Sequence, residues 1–203
     1  MALKLHHLNA SRSQRLVWLV EEMSIDCEIV HYQRHPETNL APPELLDIHP
    51  MGKSPLLEDG DVVIAETGAI AEYLLARHDT EHNLHPRSDS PDFPRYLEWV
   101  HSAEGAPFLP GLFGFYLLRS ELTDIPLAHA MAAEAAKAAA HIEAHLAKHA
   151  YFAGNSFTAA DCLMGFQIQN TALRGGALPP ATQSWLERVQ ARPAYKKMLE
   201  IGV

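Results

Sequence analysis

Cysteine is nearly absent from this chain. Cys27 and Cys162 are the only two in 203 residues, far apart and outside any CxxC or zinc-type spacing. A disulfide framework and a structural zinc site are therefore not expected. Basic charge is also scarce, with Lys+Arg at 16 against Asp+Glu at 25, a formal net charge of -9. A nucleic-acid surface needs the opposite excess. No apolar run approaches the roughly 18 residues of a membrane-spanning helix. The opening MALKLHHLNAS is too polar for a signal peptide. These absences point to a soluble protein in a reduced, cytoplasmic setting. No internal repeat is present, and the only biased stretch is the alanine run at 132–140.

What is present is periodicity that changes along the chain. Leu3–Leu8 alternates loosely and predicts a strand, and Asn9-Ala10-Ser11 reads as a turn and helix N-cap. A helix is expected from about Arg12 to Met23, with Leu16, Leu19, Val20 and Met23 as its buried stripe and Glu21 and Glu22 toward solvent. Cys27–Tyr32 predicts a second strand, giving a βαβ unit. A proline-bearing loop follows, with a short helix over Glu44–Asp47. Pro55–Leu57 and Val62–Ala65 are expected as antiparallel strands joined by an Asp59-Gly60 turn. Glu66–His78 is expected as a helix, with Ile70, Tyr73, Leu74 and Arg77 on related faces.

The order βαβ then ββα is a thioredoxin-like layout. Residues 79–92, rich in Asp, His, Pro and Ser, read as a linker, and everything after them reads helical. Helices are expected over Pro94–Glu104 with a broken continuation, Pro126–Ala150, from Thr158 onward, 182–191 and 194–200. Thr158 and Asp161 have capping-box spacing, with Phe157 placed to staple onto Cys162. The fold class is thus α/β then all-α: a thioredoxin-like domain over 1–80 and a helical bundle domain over 90–203.

One stretch of the first domain invites a ligand. At Glu66-Thr67 an acceptor, a hydroxyl and free backbone N–H groups coincide at a helix start, which suits a small zwitterion. His141, His145 and His149 share one helical face by spacing alone, and no carboxylate or cysteine joins them as metal ligands, so no metal site is expected.

In order and spacing, four segments resemble the glutathione transferase superfamily across essentially the whole chain. They are Asn9-Ala-Ser11-Arg-Ser13-Gln-Arg15, His49-Pro-Met-Gly-Lys-Ser-Pro-Leu-Leu57, Glu66-Thr67 and Gly154-Asn-Ser-Phe-Thr-Ala-Ala-Asp161. Ala41-Pro-Pro-Glu-Leu45 and Trp99-Val-His-Ser-Ala-Glu-Gly105 are similar to a bacterial and fungal subgroup that uses a serine near the N-terminus. The resemblance implies a homodimer with glutathione as co-substrate, no permanently bound cofactor, and conjugation of the glutathione thiolate to small hydrophobic electrophiles in detoxification. Peroxide reduction by the same thiolate is compatible.

The resemblance also distributes roles. Ser11 is in the family's serine position as thiolate partner, with Asn9 and Ser13 as alternatives, and the helix cap is a competing role for Ser11. Ser54 precedes a proline, Pro55, that the family holds cis, so Ser54 is expected to pair its backbone with the cysteinyl part of glutathione. Lys53 is placed for the glycine carboxylate, and the loop holding Arg34 and His35 often contacts that end. Glu66 and Thr67 take the γ-glutamyl end. Tyr96, Trp99, Phe108 and Leu112 are candidates to line the electrophile site. Neither cysteine is at the helix-1 position that thiol–disulfide exchange would need. The alternative is a non-catalytic module that binds glutathione or an apolar ligand, or docks a partner, on the same fold.

Overall fold

Leu3–Leu8 forms β1, which carries the rest of the sheet on both its edges. The computed structural model describes residues 3–202, so the outermost ends of the two expected domains lie outside the described residues. β2, Cys27–Tyr32, runs parallel to β1 with Leu5 opposite Ile29. β3, Leu56–Asp59, is antiparallel on the other edge with Leu5 opposite Leu57, and β4, Val62–Ala65, completes the order β2-β1-β3-β4. This is the mixed four-stranded sheet expected of the thioredoxin-like layout. Asp59 faces Val62, so the hairpin loop is Gly60-Asp61, one residue later than expected. Gly60 supplies the positive φ, 62°, that such a two-residue turn needs.

Helix α1 is Gln14–Met23, starting two residues after the expected Arg12. Leu16, Leu19 and Val20 are buried as the pattern requires, and Met23 is half-buried. The solvent-facing assignment of Glu21 and Glu22 is corrected: their side chains are 14% and 7% exposed. Residues 14–20 are all buried because the C-terminal helix covers α1 from a second side. Short α2 is Leu45–Ile48, and α3 is Thr67–His78, with Ile70 and Leu74 buried, Tyr73 half-buried and Arg77 exposed.

The chain divides into two compact units, Met1–His85 with Arg188–Val203, and Pro86–Glu187. The expected 90–203 domain thus yields its last segment to the first unit. Asp79 shows why the first unit runs past residue 80. Its carboxylate accepts from the backbone N–H groups of Asn83, Leu84 and His85 and meets the His85 ring at 2.7 Å, so the first half of the expected linker is tied down.

In the second unit, α4 is Phe93–Ser102, α5 Leu109–Arg119, α6 Pro126–Leu146 and α7 Ala159–Leu173. α4 and α5 are separate helices, interrupted where Gly105 and Pro107 fall, and α6 stops four residues before the expected Ala150. α8, Pro180–Gln190, contains the division between the units, and α9 is Pro193–Gly202.

The capping box at Thr158 and Asp161 is present. Asp161, fully buried, also accepts from the Phe152 backbone N–H at 3.1 Å and the Trp185 indole N–H at 2.8 Å. Burial pushes its carboxyl up to about 6 while these donors pull it back. Phe157 and Cys162, the expected staple pair, are both buried. Among the described residues no helix is long and apolar enough to cross a membrane.

Candidate active site

The end of β1 and the start of α1 are joined by a turn that cannot extend either element. Asn9 N–H still donates to Tyr32 C=O at 3.1 Å, continuing the parallel ladder by one residue. Ala10 then takes a left-handed φ of 47°, which reverses the chain. Arg34, just past β2, clamps this turn. Its backbone N–H donates to Asn9 Oδ1 at 2.8 Å, and its guanidinium to the carbonyls of Asn9, Ala10 and Asn39.

Inside the turn lies a chain of polar side chains. Ser11 Oγ and Ser13 Oγ are 2.7 Å apart, and Ser13 Oγ and His7 Nδ1 are 2.8 Å apart. Ser13 N–H donates to Ser11 Oγ at 3.3 Å, and Leu8 N–H donates to Ser13 Oγ at 3.2 Å. Ser11 is 6% exposed, His7 1% and Ser13 not at all. Ser11 thus has a turn-capping bond and a hydroxyl partner at once, while the residue that borders the helix is Ser13. Ser13 is enclosed, with its oxygen committed to His7, Ser11 and Leu8. Asn9 has its Oδ1 on Arg34, which directs the opposite, N–H-bearing side of the amide elsewhere.

The second half of the site joins the first at Leu8. Its N–H is shared between Ser13 Oγ and Ser54 Oγ, each at 3.2 Å, and Ser54 Oγ–H donates to His6 C=O at 2.8 Å. The Ser54–Pro55 peptide is cis. Among the described residues the Ser54 backbone N–H and C=O make no hydrogen bond to other backbone. Lys53 is exposed and, among the described residues, forms no ion pair.

Glu66, exposed and directly before α3, is held at φ 73° and ψ 125°, a region that costs a non-glycine residue about 1–3 kcal/mol. Thr67 opens α3 and is 3% exposed. His35 is exposed, and its Nδ1 accepts from the backbone N–H groups of Glu37 and Thr38, so part of its polar capacity shapes its own loop.

Of the candidates on the helical unit, Trp99 is the most deeply buried. Its ring packs 5.0 Å from His141, 4.8 Å from His145 and 4.8 Å from Phe152, and it is 1% exposed. These contacts set its ring in the packing of the helical unit. Tyr96 and Phe108 are also buried, at 4% and 8%, and Leu112 is half-buried. The three histidines at 141, 145 and 149 are used for ring packing, with His145 Nε2 on Tyr151 C=O at 3.3 Å. Among the described residues no group of histidine, cysteine and carboxylate side chains is disposed for a metal ion.

Cys27 is unsuited to nucleophilic work, because burial pushes its thiol up to about 11 and keeps it neutral. No motif in the sequence marks His7. Two adjacent histidines at a strand end must point to opposite faces, which was legible, but a hydroxyl partner six residues on follows no spacing rule.

Residues 1–76 match the family "Glutathione S-transferase, N-terminal domain", and residues 109–193 match "Glutathione S-transferase, C-terminal domain". Glutathione S-transferase 3 of Schizosaccharomyces pombe is 33% identical over 95% of this chain and 84% of its own. A crystal structure of a glutathione S-transferase from Actinobacillus pleuropneumoniae superposes with a TM-score of 0.86 at 32% identity, covering 98% of this chain and 92% of that one. A glutathione transferase homologue from Lodderomyces elongisporus, crystallised with two glutathione molecules per subunit, gives a TM-score of 0.85 at 16% identity over 99% of both chains. The chain belongs to the glutathione transferase superfamily and is an enzyme of that class.

Proposed function

We propose that this enzyme adds the thiolate of glutathione to small hydrophobic electrophiles, with Ser11 as the hydroxyl that holds the sulfur as an anion. A free thiol titrates near ~8.5, so the reaction at neutral pH depends on stabilising the thiolate. A hydroxyl donor beside the start of a helix does this without a formal base. The observation that carries the reading is the Ser11–Ser13 pair at 2.7 Å, which holds the Ser11 oxygen at the entry to α1.

The peptide part of glutathione is assigned to the other half of the site. Ser54 offers an N–H and a C=O to the cysteinyl backbone, in the manner of an added strand. Glu66 accepts from the γ-glutamyl ammonium, and the Thr67 hydroxyl and N–H donate to its carboxylate at the start of α3. Lys53 and His35 meet the glycine carboxylate. The glutathione-bound Lodderomyces homologue supports the ligand.

The electrophile rests against apolar side chains contributed by Tyr96, Phe108 and Leu112. The enzyme works as a cytoplasmic homodimer in detoxification and also reduces peroxides at the expense of glutathione. The free thiols of Cys27 and Cys162 fit a reducing compartment.

Asn9 offers a second reading for the sulfur contact. With Oδ1 turned to Arg34, its amide N–H groups are the alternative donors to a thiolate. Conjugation of a chlorinated nitrobenzene separates the two. Ser11→Ala is expected to lower kcat/KM by about 10–100-fold, the worth of a hydrogen bond to a charged group. Equal rates in Ser11→Ala and wild type, with loss in Asn9→Ala, would move the role to Asn9. Glutathione retention without turnover of any electrophile or peroxide would favour a binding module.

A further inference from the structure

The hydrogens in the buried chain His7–Ser13–Ser11 can be counted, and the count fixes a role for His7 that rests on Ser11 being the donor to the thiolate. A serine hydroxyl has one hydrogen and two lone pairs. A thiolate only accepts, so the single Ser11 hydrogen points at sulfur. Ser11 Oγ then meets Ser13 Oγ, 2.7 Å away, with lone pairs alone, and Ser13 must donate. Ser13 has now spent its hydrogen, so the 2.8 Å contact between Ser13 Oγ and His7 Nδ1 needs a hydrogen from the ring. The remaining positions close: Ser13 Oγ accepts from His7 Nδ1–H and Leu8 N–H, and Ser11 Oγ accepts from Ser13 O–H and Ser13 N–H.

We infer that His7 carries its proton on Nδ1 and is a positioning residue, which through Ser13 turns the Ser11 hydroxyl outward to the glutathione sulfur. With Nδ1 bare, the chain runs backward. Ser13 donates to His7, Ser11 donates to Ser13, and a lone pair of Ser11 faces the sulfur, which repels a thiolate. The choice between the two states lies in whether Nδ1 of this one ring carries a hydrogen. The surroundings hold that ring still: His7 is 1% exposed, and His31 of β2 meets it edge-on at 5.6 Å between centroids. The competing acceptor for the Ser13 hydrogen, Leu8 C=O, is at 3.3 Å and loses to the shorter Ser11 contact.

The test begins with the wild-type enzyme saturated with glutathione. Long-range 1H–15N correlation of histidine-labelled protein distinguishes Nδ1–H from Nε2–H rings, and the His7 signals are those missing in His7→Asn. The expected result is the Nδ1–H tautomer. Because this is read on unaltered protein, it stands even where a His7 variant fails to fold. In kinetics, His7→Leu is expected to lower kcat/KM near about pH 6.5 by about five-fold and leave the glutathione KM within about two-fold. His7→Asn, whose amide N–H can replace Nδ1–H, restores most of the rate, which general damage to packing would not allow. An Nε2–H tautomer in the complex overturns the inference. So does a His7→Leu enzyme whose pH–rate profile matches wild type while that of Ser11→Ala is shifted. If Ser11→Ala itself leaves the profile unchanged, the Ser11 reading fails and the inference falls with it.

Discussion

The guanidinium of Arg192 holds both carboxylate oxygens of Glu22, 2.6 Å from Nε and 2.7 Å from Nη2, across 170 residues of sequence. Glu22 Oε1 also accepts from the Trp18 indole N–H at 2.9 Å, and Tyr195 lies edge-on to that indole at 4.9 Å. One turn of α1 is thereby tied to the segment that begins α9. Removing Arg192 leaves a carboxylate that is 7% exposed without its cation. Breaking a fully buried pair costs about 3–5 kcal/mol. Arg192 is 31% exposed and partly screened, so Arg192→Ala is expected to cost about 2 kcal/mol. Urea unfolding measures it as a lower midpoint at unchanged slope. Arg192→Lys should recover only part, since an ammonium cannot bridge both oxygens. A midpoint unchanged in Arg192→Ala contradicts the assignment.

Glu143 and Asp161 give opposite pH signatures. Glu143, on α6, caps α8 by accepting from the N–H groups of Ala181 and Thr182 and from the Thr182 hydroxyl, all within 2.9 Å. Burial would raise its carboxyl, but these bonds leave it below its ordinary 4.5. A folded-state value below the unfolded one contributes stability above 4.5 that is lost as the pH falls through the lowered value. Glu143→Ala is therefore expected to cost about 1–2 kcal/mol at neutral pH, with the gap to wild type narrowing in acid.

Asp161 titrates in the folded state at about 6, above its ordinary 3.8, so its folded form binds the proton more tightly. Its contribution is complete below 3.8 and declines as the pH rises through about 6. Asp161→Ala strips the capping box and leaves the Trp185 and Phe152 N–H groups buried without acceptors. The expected cost is on the order of 3 kcal/mol, with a gap that widens as the pH falls from about 6 to 3.8. Thermal unfolding of both variants across this range checks the two signs. Parallel curves for Asp161→Ala and wild type would falsify the second.

Glu66 trades stability for binding in the proposed site. At φ 73° the residue is strained, and glycine relaxes that region. Glu66→Gly is expected to stabilise the apo protein by about 1 kcal/mol and to weaken glutathione binding about ten-fold by removing the acceptor for the ammonium. Calorimetric titration with glutathione, alongside unfolding, measures both. A variant less stable than wild type, or one that binds glutathione equally well, counts against the role.

The sheet was legible in the sequence because each strand carries its own alternation or turn signal, and the capping box because Thr158 and Asp161 are three residues apart. The two stretches proposed as the site stand out in the sequence through the order and spacing of motifs. What escaped was long-range. Glu21 and Glu22 look like a solvated face of α1 until Lys197 and Arg192 arrive from the other end of the chain. Nothing in the sequence around Trp99 tells that α6 lays His141 and His145 against it. His7 looks like any strand residue until the turn at Ala10 folds Ser13 back onto it. In each case the partner is chosen by packing, not by local pattern.

In the proposed function, Ser11 makes bound glutathione a thiolate. The measurement is the ultraviolet absorbance of the thiolate in the enzyme–glutathione complex, titrated with pH in wild type and Ser11→Ala. Wild type is expected to show thiolate well below the ~8.5 of a free thiol. Ser11→Ala should bind glutathione with similar affinity yet return the titration toward that value. Identical titrations in the two proteins would contradict the account.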